Sequence, residues 1–234
     1  MAERLVLITG VGRAGQVGEA VAGAFARRGD RTIVVSRQLE QAQARAADIV
    51  AAGYSATAYS ADLSSPPDVA ALAERIRATH GDGLDALVNL AGGFSASGPV
   101  AESTTEVWDR QMRINLATAY HVTRAFLPML RSARGAVVFF ASEAALPGSR
   151  VAGVSAYAVA KSGVVTLMRA VAQEEREHGV RANAVAPAAI RTAQNLASMG
   201  AAARYIERED VAAAVLFLCS AGASAITGQV IRLG

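Results

Sequence analysis

A single cysteine, Cys219, stands in a chain of 234 residues, so no internal disulfide can form and a cysteine-rich metal site is excluded. Its setting, "AVLFLCS", reads as a small buried apolar side chain. A lone thiol suits a reducing compartment, and the expected location is the cytoplasm. Charged residues are also scarce, at 18%. The 23 Lys and Arg against 20 Asp and Glu leave a dispersed net charge of +3, too small to suggest a nucleic-acid or membrane surface. No apolar run approaches the roughly 18 residues needed to span a bilayer, and no targeting pattern precedes the first strand-like segment. The three histidines, His80, His121 and His178, show no ligand spacing, so no metal is expected; His80 and His178 fall near helix ends, where the dipole favours a cation. No Ser/Gly linker, composition break or fixed-period repeat divides the chain, which is expected to form one domain over 1–234.

What the chain has is hydrophobic content, 52%, arranged as short apolar runs alternating with helical patterns. Strand-like runs cover residues 4–9, 31–36, 54–60, 84–90, 135–142, 180–185 and 229–233. Helical patterns begin at Val17, at Leu39, after a cap at Ser64 or Ser65 with prolines in the first turn, near Thr104, at Ser155 and near Arg208. The long pattern from Thr104 extends to about Leu130, and the one from Ser155 runs to His178. Strict alternation implies a parallel sheet covered on both faces, a doubly wound, three-layer α/β/α architecture. Ligands bind such sheets beyond the carboxyl ends of the strands, where strand order reverses, so the loops after the strands should open onto one edge.

The loop after the first strand, "TGVGRAGQVG", lies between a strand and a helix, the context that a dinucleotide fingerprint requires. Glycines there let backbone N–H groups approach a pyrophosphate, and a helix N-terminus favours the anion. Gly10, Gly12 and Gly15 match G-x-G-x-x-G, and Gly18 follows at the start of the helix. In "SAYAVAK", Tyr157 and Lys161 lie four apart on a helical pattern and share one face. An ammonium beside a phenol is expected to lower the phenol's pKa and make it a better proton-transfer group near neutral pH. Ser142 closes the fifth strand, Asn115 lies within the long helix, and "NLAGG" from Asn89 closes the fourth strand.

Taken together, "TGVGRAGQVG", "NLAGG", Asn115, Ser142, Tyr157, Lys161 and "NAVAPAAIRT", in this order over nearly the whole chain, resemble the short-chain dehydrogenase/reductase family. The resemblance implies a Rossmann-type domain that transfers a hydride between a nicotinamide and a carbonyl or alcohol carbon. By it, Tyr157 would protonate the carbonyl oxygen while Ser142 hydrogen-bonds that oxygen. Lys161 would hold the nicotinamide ribose and tune Tyr157, and Asn115 would fix a water leading from Lys161 to solvent. Asp62 and Leu63 would meet the adenine, Asn89 to Gly92, including Ala91, would pack along the adenosine ribose, and Thr192, beyond Pro187 and Ile190, would touch the carboxamide or the phosphates. The two long helices would build a homotetramer or homodimer.

Two features depart from the family pattern. The first loop fits only if Val17 and Gly18 take the places nearest the helix, which makes the turn two residues longer than usual. Gly10 and Gly18 are then expected to bracket the phosphate turn, with Gly12 and Gly15 lending flexibility. Ser142 also lies farther from Tyr157 than the pattern expects, so Ser149 and Ser155 compete for its role, with Ser142 favoured because it ends the strand.

Ser36 and Arg37 follow the second strand with no carboxylate until Glu40, which favours NADP over NAD. On the substrate side, Phe94, Leu146, Val154 and Met199 are candidate wall residues, and Glu143 is either a substrate contact or a solvated carboxylate. The segment after the sixth strand is short and alanine-rich, which suggests an open pocket. The expected activity is NADP(H)-dependent reduction of a ketone, with 3-oxoacyl compounds among the candidates. A dihydropteridine-reductase-like enzyme and a non-catalytic NADP-binding sensor are the alternatives.

Overall fold

The computed structural model describes residues 3–234. Seven parallel strands form one sheet: β1 (Leu5–Thr9), β2 (Arg31–Ser36), β3 (Ala56–Ser60), β4 (Ala86–Asn89), β5 (Ala136–Phe140), β6 (Arg181–Pro187) and β7 (Val230–Leu233). Their order is β3-β2-β1-β4-β5-β6-β7, so strand order reverses between β1 and β4. The register there sets Val6 beside Ala86 and Ile8 beside Val88.

β1 and β5 are buried along their whole length because helices cover both faces, which is why they read as unbroken apolar runs. The pleat divides their side chains by twos. Leu5, Leu7, Ile33, Val137 and Phe139 join one core, with Phe126 and Met168. Val6, Ile8, Val34, Val138 and Phe140 join the other, with Phe25 and Val215. The first core is covered by α3 (Pro66–His80), α5 (Thr118–Ala133) and α6 (Ser155–Glu174), and the second by α1 (Val17–Arg27), α2 (Leu39–Ala51) and α8 (Arg208–Leu218). Of the two possible caps of α3, Ser65 serves, its Oγ accepting the Asp68 N–H at 3.4 Å.

Three arginines converge on the end of α8, where helix carbonyls lack partners. Arg4 donates to the Cys219 carbonyl at 2.7 Å, Arg181 to those of Leu218 at 2.8 Å and Ser220 at 3.2 Å, and Arg28 to that of Leu216 at 3.4 Å. Burial pushes the Cys219 thiol up to about 12, so this cysteine is packing. His80 differs from the helix-end cation expected: Arg31 donates to its Nδ1 at 2.9 Å and Tyr59 meets its Nε2 at 3.0 Å. Burial, with the Arg31 charge, holds its pKa below the usual value.

The long helix expected from Thr104 is three pieces. Thr104 caps α4 (Thr105–Gln111), a π-helical turn covers Met112–Ala117, and α5 follows. The apolar period continues through all three, so the change in hydrogen bonding leaves no trace in the pattern. The segment after β6, by contrast, holds a helix that the sequence did not announce, α7 (Ala193–Met199), capped by Thr192, whose Oγ1 accepts the Asn195 N–H at 3.1 Å. Small residues without an apolar stripe hid it. α6 stops at Glu174, four residues short of His178, and Val180 N–H turns back to the Glu175 carbonyl at 3.2 Å.

Candidate active site

The loops after β1 and β4 meet where strand order reverses. Gly10 has φ +79°, and a Cβ there would lie 2.9 Å from both the N and Cα of Ala91. Thr9 stitches the same seam: its hydroxyl donates to the Val88 carbonyl at 3.2 Å and accepts the N–H groups of Leu90 and Ala91, each at 3.1 Å. Gly18, in the first turn of α1, packs on the Gly10 carbonyl, which a Cβ would approach to 2.7 Å. Gly12 gives close approach where flexibility was expected: a Cβ there would lie 2.7 Å from Gln41 Oε1 and 2.9 Å from the Ser36 hydroxyl at the end of β2. Only Gly15, at φ +71°, has an uncrowded left-handed conformation, and its carbonyl accepts the Ala193 N–H at 3.4 Å, which links the loop to α7.

Gln16 caps α1 without a side-chain bond, so the first-turn amides of Val17 and Gly18 stay open to an anion. Glu19, one turn in, accepts the Gly15 N–H at 2.8 Å, and its charge is met by Arg45 and Arg208 at 3.5 and 3.4 Å. Arg37 is exposed just past β2. Asp62 accepts the N–H and hydroxyl of Ser64 at 2.9 and 2.7 Å, which, with Arg37 and Arg113 nearby, holds its pKa below the usual range. Leu63 and Pro187 are buried, Ile190 bridges to Ile206, and Thr192 is buried at the head of α7. Buried Asn89 donates to Thr123 Oγ1 at 2.8 Å. An uncapped helix start, backbone seams that exclude side chains and a basic side chain at the end of β2 are a donor set that fits a dinucleotide.

α6 starts beside β5 and carries Tyr157 and Lys161 on the face toward the seam. The Lys161 ammonium, 5.8 Å from the Tyr157 ring centroid, donates to the Phe140 carbonyl at 2.8 Å. Burial lowers its pKa to about 8. Tyr157 departs from the expected direction. Burial raises its pKa, a hydrogen bond with Ser142 opposes the rise, and Lys161 does not reverse it. The phenol is therefore kept protonated. Ser142 holds its strand-end place, with its hydroxyl also accepting the Ala144 N–H at 3.3 Å, while the competing serines are engaged elsewhere. Ser149 donates to the Glu143 carbonyl at 2.6 Å, and Ser155 meets Ser97 at 3.3 Å.

Asn115 sits in the π-helical turn and is 1% exposed. Its Oδ1 accepts the Gly93 N–H at 3.1 Å, and its Nδ2 donates to the Gly93 carbonyl at 2.9 Å and to Gln111 Oε1 at 2.9 Å. A Cβ at Gly92 would fall 2.5 Å from Asn115 Oδ1 and 3.4 Å from Lys161 Nζ, so Gly92, Asn115 and Lys161 form one contact. Insertion of an extra residue in a helix commonly marks a functional position, and here it turns the Asn115 amide onto the loop.

Glu143 pairs with Arg232 of β7, and both side chains are exposed, in keeping with a solvated carboxylate. Among the candidate wall residues, Phe94 and Met199 are exposed, and Leu146 packs partly on the core. Two residues of the site went unread in the sequence. Thr9 is signalled only by a hydroxyl at the last position of an apolar strand. Gln111, fully buried, is signalled by a polar residue on an apolar helical face, four before Asn115.

Comparison with known proteins agrees with this arrangement. A family model described as enoyl-(acyl carrier protein) reductase matches residues 10–233. The chain is 33% identical over 234 residues to a cyclohexanol dehydrogenase from Acinetobacter sp. (strain SE19), covering 97% of this chain and 91% of that protein. It is 33% identical over 244 residues to a galactitol 2-dehydrogenase from Rhizobium johnstonii, covering 99% and 93%. Among solved structures, a short-chain type dehydrogenase/reductase from Mycobacterium ulcerans superposes with a TM-score of 0.90 at 30% identity, covering 98% of this chain and 88% of that one.

Proposed function

The chain belongs to the short-chain dehydrogenase/reductase family, and on that premise we propose that it is an NADP(H)-dependent carbonyl reductase or alcohol dehydrogenase with Tyr157 as the proton donor. Action on a CH–OH or C=O centre follows from the family and from its relatives. The observation that carries the finer reading is a phenol kept protonated by burial, beside Ser142 and one helical turn from a buried ammonium whose Nζ lies 5.8 Å from the ring centroid. A bound nicotinamide would supply or accept the hydride. Ser142 holds the substrate oxygen, and Tyr157 delivers its proton there as negative charge develops. Lys161, buried one turn from Tyr157 with its Nζ on the Phe140 carbonyl, would hold the nicotinamide ribose. Asn115 keeps the loop at Gly92 and Gly93 against Lys161. The seams at Gly10, Gly12, Gly15, Gly18, Ala91 and Gly92 would receive the dinucleotide, with its phosphates on the first turn of α1.

The NADP reading is supported by exposed Arg37 just past β2, with no carboxylate before Glu40. One domain over 1–234 is supported by the two cores sharing one sheet. A homotetramer or homodimer is supported by exposed Trp108, Tyr120 and Val159. The lone buried thiol suits the cytoplasm. Ser142 beside Tyr157 favours a carbonyl substrate over a pterin, whose reduction does not need the serine, and over a sensor, which needs no tuned phenol.

The test is NADPH oxidation, followed by absorbance, against ketones, keto-esters, quinones and pterins. Tyr157→Phe is expected to lower turnover by about 1,000-fold or more, within the range of general acid catalysis, and to keep NADPH binding. Unchanged turnover would remove Tyr157 from the mechanism.

A further inference from the structure

The loop after β4 is braced at every second residue. Gly93 exchanges two hydrogen bonds with the Asn115 amide, at 3.1 and 2.9 Å. Ser95 Oγ accepts Gln111 Nε2 at 2.7 Å. Ser97 donates its N–H to the Gly153 carbonyl at 2.8 Å, and its hydroxyl lies 3.3 Å from both that carbonyl and Ser155 Oγ. Phe94 stands between these anchors and is itself 59% exposed. Its ring is nonetheless placed: the centroid lies 5.1 Å from that of Tyr157, with the two planes at 84°.

Single exposed aromatics are ordinary on protein surfaces. Here, however, the backbone on both sides is fixed by buried polar groups, Gln111 and Asn115, and the ring stands at a right angle to the phenol assigned the proton. The two rings make an aromatic corner open to solvent, with Ser142 at the phenol end.

We propose that Phe94 is a specificity-determining residue, the platform on which the body of the substrate lies while its oxygen reaches Tyr157 and Ser142, and that this corner selects flat ring ketones or ring alcohols over flexible chains. The proposal rests on the reading of Tyr157 as the reacting group. A rigid ring lays one face on Phe94 and turns its edge to Tyr157, the two arrangements that aromatic faces favour. It also has no rotatable bonds to freeze, whereas an open chain of equal carbon number loses freedom at each one. A polyhydroxylated chain would have to strip water from its hydroxyls against an apolar face and gains nothing there.

The probes are 1-tetralone and 2-decanone, equal in carbon number, one a fused ring and one a chain. In wild type the ratio of kcat/KM for the ring over the chain should exceed that in Phe94→Ala by about tenfold or more, the scale of losing an apolar contact in a pocket. Phe94→Trp should retain most of the ratio. Binding of 1-tetralone to the NADPH-loaded Tyr157→Phe protein, read by saturation-transfer NMR, separates this proposal from the reading on which it rests, because no turnover is needed. Ring binding that weakens about tenfold when Phe94→Ala is added supports the platform, even if every ketone proves unreactive with wild type. An unchanged ratio in Phe94→Ala, equal binding with and without Phe94, or no binding of 1-tetralone at all overturns it.

Discussion

On the side of the cleft assigned to the dinucleotide, Gly10, Gly12, Gly18 and Gly92 each sit where a Cβ would come within 2.9 Å of a neighbour, whereas on the substrate side Gly98, Gly148, Gly153 and Gly200 have nothing within 4 Å. In the first set Gly10 and Gly18 meet backbone, that of Ala91 and of Gly10, while Gly12 meets the Gln41 and Ser36 side chains and Gly92 those of Asn115 and Lys161. The second follows turns through left-handed conformations over open space. One side is accordingly shaped by main chain drawn close to its neighbours, backbone around the Thr9 hydroxyl and at the Gly18–Gly10 contact, side chains at Gly12 and Gly92. The other is shaped by side chains that reach for a loop: Asn115 for Gly93, Gln111 for Ser95 and Ser155 for Ser97. A wall in which a Cβ has no room admits one ligand shape and tolerates little sequence change at those glycines. A wall made of side-chain braces can keep its frame while an exposed residue such as Phe94 is exchanged.

The sharpest way to break the contrast is to add one methyl group to each side. Gly92→Ala forces a carbon to 2.5 Å from Asn115 Oδ1, an atom held by the Gly93 N–H, so the amide and the loop must both give. We expect NADPH binding by titration calorimetry to weaken about 100-fold, the scale of a misplaced binding group. Gly98→Ala meets only its φ of +71° and should lower unfolding free energy by about 1 to 2 kcal/mol, with cofactor binding intact. Equal losses from the two variants would erase the distinction.

Lys161 lies on the boundary, and its buried charge offers the next test. The folded protein releases its proton near pH 8, whereas the unfolded chain holds it to about 10.5. Between those values the unfolded chain binds more protons, so stability from this group rises with pH and is lower below pH 8. Measured by urea denaturation, the stability of wild type relative to Lys161→Met should rise by about 3 kcal/mol across that window, since a tenfold change in proton affinity is worth about 1.4 kcal/mol. A flat difference would mean that the ammonium is better solvated than its position indicates.

The smallest effect is expected at the exposed edge of the dinucleotide side. Arg37→Asp should shift the ratio of kcat/KM for NADPH over NADH about tenfold toward NADH, the modest size reflecting a solvent-screened charge. A wild type that already prefers NADH would contradict the cofactor reading.

These contrasts also separate what the sequence disclosed from what it hid. The strands and most helices were legible because burial leaves a period: β1 as far as Ile8 and β5 throughout are apolar, and their alternate residues divide between two cores. The i,i+4 spacing of Tyr157 and Lys161 was equally plain, since helix geometry alone brings them together. The π-helical turn at Asn115 was not, because its side chains keep an apolar rhythm while only the hydrogen bonding changes. Nor was the direction of the Tyr157 shift. Spacing told of a nearby ammonium, but burial and the bond from Lys161 to Phe140 depend on what else is packed there. Local chain geometry, fixed by neighbours in sequence, is thus written in the order of residues. The pairing of Gly92 with Asn115, the role of Gln111 and the right angle between Phe94 and Tyr157 join residues distant in the chain, and only the close packing of the folded protein sets them.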